Sequence, residues 1–197
     1  PNVLFTYALI DRKDSLLVTQ DFLNIGLGVK MPLGKSGNYP VDLKNLYPGT
    51  GSWDGLFLAN YTHRIGTRFS FQAEASHTLK GADQTSFRYG NSTQVSSVFI
   101  YNQKVNSSRF ISSLGLQHDW FAASSYQGVQ LTEKANNGYV GSAKASINLL
   151  TYNWLFSIQA QKSLFQELSQ GAVQQKFVLG LSLHYLIKKK QHEKNNH

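Results

Sequence analysis

The chain contains no cysteine, which rules out both a disulfide framework and a thiolate metal site. Charge is scarce: Asp, Glu, Lys and Arg together make up 15% of 197 residues, while Ser, Asn, Gln and 16 glycines are plentiful. That balance favours strands over helices. The hydrophobic fraction reaches 41%, yet no run approaches the roughly 18 consecutive apolar residues of a membrane-spanning helix. A chain of this kind crosses a membrane with strands or not at all. Pro1 is followed by neither a basic segment nor a cleavable apolar one, so an export signal has been removed or lies outside these residues. The six histidines are scattered without a His-Glu-x-x-His spacing, and there is no Gly-x-Ser-x-Gly elbow. Neither enzyme activity nor a cofactor or metal is expected.

Aromatic residues account for 13% of the chain, and the apolar residues follow a period of two. Phe69, Phe71, Ala73, Ala75 and Leu79 alternate with Ser70, Gln72, Glu74, Ser76 and Thr78. Successive side chains of a strand point to opposite faces, so this pattern gives one apolar and one polar face. The alternation returns in Leu23, Ile25, Leu27, Val29 and Met31, in Leu114, Leu116 and Trp120, and in Trp154, Phe156, Ile158 and Ala160. It is strongest in Phe177, Leu179, Leu181, Leu183, Tyr185 and Ile187. The pattern predicts nine strands, at 3–10, 16–32, 53–64, 68–79, 93–103, 109–120, 138–149, 153–164 and 175–187. Several exceed the common five or six residues and match the roughly 9–11 that cross a bilayer at a tilt.

The connections alternate in length. Tight turns at 11–14, 65–67, 104–108 and 150–152 are separated by long polar loops at 33–52, 80–92, 121–137 and 165–174. Outer-membrane barrels keep periplasmic turns short and extracellular loops long. The fold class expected is therefore all-β, an antiparallel transmembrane β-barrel in the bacterial outer membrane. Such barrels usually have an even strand number, so nine strands imply an incomplete barrel of ten to twelve, lacking one or more N-terminal strands. The barrel is assigned to residues 1–187 and a basic polar tail to 188–197. Trp53, Tyr61, Trp120, Tyr139, Tyr152, Trp154 and Tyr185 recur near strand ends, where amphipathic rings suit an interfacial girdle.

On this reading Phe69, Phe71, Trp154, Phe156 and Leu181 face lipid, and Lys30, Glu74, Lys80 and Lys144 face the lumen. The lumen then carries mixed charge with a basic excess. Much of the formal charge of +8 lies in the tail, at Lys188, Lys189, Lys190 and Lys194. Outside it the basic residues do not cluster with aromatics, so a nucleic-acid partner is not expected. Lipid is the expected partner, with other envelope proteins reached through the long loops or the tail.

Two local patterns carry a family resemblance: Gly26-Leu27-Gly28-Val29-Lys30-Met31-Pro32-Leu33-Gly34 and Tyr47-Pro48-Gly49-Thr50-Gly51-Ser52-Trp53-Asp54. They resemble the strand ending in K-x-P-x-G and the following G-T-G-S-x-D of the outer-membrane proteins known as the MetA-pathway of phenol degradation, or simply transporter, family. The likeness is sharpest over residues 22–64. It implies a barrel related to channels for hydrophobic compounds and carries over no catalytic or binding residue. The chain departs from the family in its N-terminal strands and in following its last strand with residues 188–197 instead of ending on an aromatic residue.

Three functions remain open at this point. One is a transporter-like barrel that admits or binds small apolar compounds. Another is an accessory subunit of an envelope assembly with a plugged lumen. The third is a soluble β-barrel holding an apolar ligand inside, because alternation alone does not say which face is enclosed.

Overall fold

The computed structural model describes residues 2–15, 18–32, 50–131, 137–171 and 174–186. Each of the nine alternating segments forms a long strand: β1 (Asn2–Lys13), β2 (Thr19–Lys30), β3 (Asp54–Ile65), β4 (Phe69–Leu79), β6 (Ser92–Val105), β7 (Ser108–Phe121), β10 (Gly138–Thr151), β11 (Trp154–Leu168) and β12 (Phe177–Tyr185). Three short strands, β5 (Phe87–Arg88), β8 (Ser125–Tyr126) and β9 (Val129–Gln130), lie in the long loops. The fold is all-β and antiparallel, with a single 3-10 turn at Ser169–Gly171 among the described residues. The loop at 33–49, with Leu33, Gly34, Tyr47, Pro48 and Gly49 of the two motifs, lies outside the described residues, as does the tail at 188–197.

The long strands form one meander in chain order, β1-β2-β3-β4-β6-β7-β10-β11-β12. No ladder joins β1 to β12 among the described residues, so the sheet is open and not closed into a barrel. Every neighbouring pair is antiparallel, so the two edge strands, eight steps apart in that order, run in the same direction.

Register carries the apolar face across the whole sheet. Leu27 pairs with Phe5 and Phe57, Phe71 with His63 and Phe99, Leu114 with Phe99 and Ala145, and Ile158 with Ile147 and Leu181. Side chains directly opposite share a face. The apolar face is also the exposed one: Phe99 is 60% exposed, Leu114 65% and Leu181 73%. On the other face polar residues are buried, as at Ser96, Gln117 and Ser142. This is the burial pattern of a sheet curled around its polar face. Phe87 and Val140 are the only buried hydrophobic residues among those described.

Turn chemistry explains the short connections. Val105 pairs with Ser108 and Thr151 with Trp154 across two-residue turns, whose first residues Asn106 and Tyr152 have φ of 53° and 50°. Hairpin turns whose twist matches the flanking strands need such positive φ values. Gly66, with φ of 69°, opens the turn between β3 and β4, where a side chain would be strained. Between β1 and β2, Asp14 accepts the Val18 N–H at 2.9 Å and the Gln20 side-chain amide at 2.8 Å.

The two strands that run furthest past their predicted ends, β1 and β11, each contain a bulge. In β1 the register shifts between Ala8 and Ile10, which leaves Leu9 as an extra residue, and the strand continues to Lys13. In β11, Gly141 pairs with Phe165 but Ser142 with Ser163, so Leu164 is extra and the strand continues to Leu168. A bulge moves later residues to the opposite parity, which is where the period-two signal lapsed.

At the long-loop end, β5 pairs with β8 and β8 with β9, forming a small second sheet. Gln127 and Gly128 make its turn, with φ of 51° and 81°. Asp83 organises the preceding loop by accepting the backbone N–H groups of Thr85 (2.8 Å) and Phe87 (3.0 Å). Phe87 is buried and meets Tyr89 edge-on with ring centroids 4.9 Å apart. Burial, helped by the charge of Asp83, raises the Tyr89 phenol above its ordinary pKa. The described parts of these two loops, 80–92 and 121–131, therefore fold against each other.

Candidate functional site on the polar face

The polar face is organised as three bonded groups along the strands. At the long-loop end Asp54 opens β3 with its side chain fully buried. Lys30, at the end of β2 and directly opposite Asp54, places its Nζ 2.9 Å from Oδ2. Lys80, immediately after β4, reaches the same oxygen at 3.3 Å. The Ser52 hydroxyl and the Gly81 N–H donate to Oδ1 at 2.8 and 3.2 Å, and the Lys30 ammonium also donates to the Thr50 hydroxyl at 2.7 Å. A buried carboxylate is tolerated only with its charge paired and its lone pairs used, and here both conditions hold. Lys30 of the K-x-P-x-G segment and Thr50, Ser52 and Asp54 of the G-T-G-S-x-D segment thus form one network that ties β2, β3 and the end of β4 together.

The second group lies beside it on β6 and β7. Asp119 accepts the Gln94 amide at 2.9 Å and the Gln117 amide at 2.8 and 2.6 Å. No ion pair among the described residues reaches Asp119, so amide donors carry its stabilisation.

The third group is a groove of about 280 Å³ over β6, β7, β10, β11 and β12. Lys144 stands beside Gln161 in the ladder, and the next rung holds Ser113, Ser146 and Gln159. The Ser113 and Ser146 hydroxyls are 2.7 Å apart. Val98 and Val178 provide the apolar part of the wall. Lys144 has no ion-pair partner among the described residues, unlike Lys30 and Lys80.

All four residues expected in the lumen therefore lie on the polar side. Lys30 and Lys80 converge on Asp54, Glu74 sits mid-strand between Asn60 and Ser96, and Lys144 belongs to the groove. Phe69, Phe71, Trp154, Phe156 and Leu181 all lie on the apolar face: Phe69 packs on Tyr101 (5.0 Å between centroids), Phe71 on Phe99 (5.1 Å) and Trp154 on Tyr185 (4.9 Å). The sequence reading missed Asp54 as the common partner of two lysines, because the pairing spans 24 and 26 residues and depends on loop geometry. It also missed the side-chain bonds of Gln94, Gln117 and Asp119. The period-two pattern placed those residues on one face but gave no sign of their register.

The apolar face also carries polar side chains: His77, opposite Phe57, places its Nδ1 2.7 Å from the Thr93 hydroxyl, and a larger polar group is built on β1, β2 and β3. Near the short-turn end, Asp21 accepts the Tyr61 hydroxyl at 3.0 Å, lies 2.6 Å from His63 Nδ1, and forms an ion pair with Arg12. These partners neutralise a carboxylate; they do not present an activated serine or threonine. Among the described residues no group of three His, Cys, Asp or Glu side chains is placed to hold a metal ion.

The chain matches no known protein-family model and no curated protein.

Proposed function

We propose that this chain forms the wall of a bacterial outer-membrane β-barrel of transporter type, which admits or binds small apolar compounds. The observation that carries this reading is the uncovered apolar face that runs across all nine long strands, opposite a polar face buried at its centre, at Ser96, Gln117 and Ser142. In water such a face would be an aggregation or binding surface; against lipid it is the expected exterior.

Three further features support it. A 12-residue strand such as β3, at about 3.3 Å per residue and a tilt of about 45°, spans about 28 Å, close to the roughly 30 Å of a hydrocarbon core. Aromatic rings mark both ends of the apolar face. Trp120, Tyr139 and Phe165 surround His118 at the long-loop end, and Trp154 and Tyr185 pack together at the short-turn end. The motif resemblance to the transporter family, over residues 22–64, points the same way. Because the two edge strands run in the same direction, a barrel antiparallel throughout closes with an odd number of additional strands.

The test is reconstitution of the full chain into lipid vesicles and planar bilayers. The protein is expected to float with the vesicles and to give discrete conductance steps. Stable insertion without conductance would contradict transport and favour an accessory subunit. Failure to associate with vesicles, with solubility in the absence of detergent, would contradict the membrane reading itself.

A further inference from the structure

We infer that the polar face carries a binding site for a small multivalent anion, bearing phosphate or carboxylate groups, at its short-turn end. A cavity of about 450 Å³ there is lined by Arg64, Arg68, Lys104 and Arg109, with Ser70 and Asn102 between them. The ladders bring these residues together from two adjacent hairpins. Arg64 pairs with Ser70 across β3 and β4, the Asn102 N–H donates to the Arg68 carbonyl at 2.8 Å, and Lys104 stands directly opposite Arg109 across β6 and β7.

Two observations separate this cluster from an ordinary solvated rim. No carboxylate lines the cavity, and no ion pair among the described residues involves any of the four cations. This differs from the opposite end of the same face, where Lys30 and Lys80 share Asp54. In addition, Lys104 and Arg109 form a like-charge pair at directly opposed positions, an arrangement that destabilises an antiparallel ladder. The sheet accepts this repulsion where four cations line one space together with neutral polar residues alone. An anion entering it removes the repulsion and gains charge-assisted hydrogen bonds.

The Arg64 guanidinium is already oriented. Its Nε donates to the Gly66 carbonyl at 2.8 Å, within the turn that Gly66 makes possible. Most of its five N–H groups remain for an anion. Phosphate and carboxylate groups match the planar fork of arginine, and a ligand with two or more such groups can bridge the two hairpins. The site depends on register and turn geometry alone. It holds whether or not the sheet closes in a membrane, so it does not rest on the transport reading.

Isothermal titration of the full chain in a non-ionic detergent with inorganic pyrophosphate, at fixed ionic strength, tests the site. Saturable binding is expected, with the dissociation constant raised about tenfold in both Arg64→Gln and Lys104→Gln. Lys104→Gln also relieves the like-charge pair, so its unfolding midpoint is expected to stay level or rise while its affinity falls. A residue with a merely structural role would not move those two quantities in opposite directions. A variant with Lys188, Lys189 and Lys190 changed to Gln is expected to bind as the parent does. The inference is overturned if pyrophosphate shows no saturable binding at millimolar concentration, if both site variants bind as tightly as the parent, or if the tail variant alone loses binding.

Discussion

Asp54→Ala is expected to destabilise the protein by about 3 kcal/mol in a denaturant titration. The loss comes from what remains behind: Lys30 and Lys80 both end on the same buried carboxylate. Without it two ammonium groups face each other, and Ser52 and the Gly81 N–H lose their acceptor. Breaking a buried pair from one side costs roughly 3–5 kcal/mol, and the lower end applies because both lysine side chains keep some contact with water. Asp54→Asn preserves shape and can still accept hydrogen bonds, so it should cost less. Adding Lys30→Met and Lys80→Met to Asp54→Ala should recover part of the loss, because the unpaired charges are then gone. Equal stability of Asp54→Ala and the parent would show that the network contributes nothing.

The second large effect concerns the apolar face. Leu114→Arg, in the middle of β7 and 65% exposed, is expected to cost about 2–4 kcal/mol for protein folded in vesicles, the penalty for Arg near a bilayer midplane. Ser157→Arg, on the polar face of β11, should change stability by less than about 1 kcal/mol. In water the order would differ, because an exposed Leu114 would accept Arg at little cost. Reversible unfolding of the two variants in vesicles measures the contrast, and equal costs would contradict a lipid-facing Leu114.

The strands were readable from the sequence because one rule governs them: a sheet with one polar and one apolar face writes its period into every strand. The strand expected at 68–79 returned as β4, Phe69–Leu79, and Leu23–Val29 as the core of β2. The rule fails where parity changes. Leu9 and Leu164 are the extra residues of bulges, and the readings ended near them although β1 and β11 continue to Lys13 and Leu168. It fails again where strands are too short to show a period, as in β5, β8 and β9, which the sequence presented only as polar loop.

Charge was legible only as composition. Lys30, Lys80 and Lys144 were read together as a basic excess, but two of them share the single carboxylate of Asp54 and the third stands apart in its own groove. The unpaired cations at the other end, Arg64, Arg68, Lys104 and Arg109, each flank a tight turn. Only the register that sets Lys104 against Arg109, and the backbone bond from Asn102 to Arg68, reveals that they share one space.

The most direct test of the central claim compares Phe71 with Gln72, neighbours on β4 that lie on opposite faces. A spin label placed at each position in turn, in protein reconstituted into bilayers, reports its accessibility to a lipid-soluble and to a water-soluble relaxation agent. The outer-membrane account predicts that the label at position 71 meets the lipid-soluble agent and the label at position 72 the water-soluble one. A label at 71 shielded from both, in a protein that stays soluble without detergent, would contradict it and place the apolar face inside a soluble barrel.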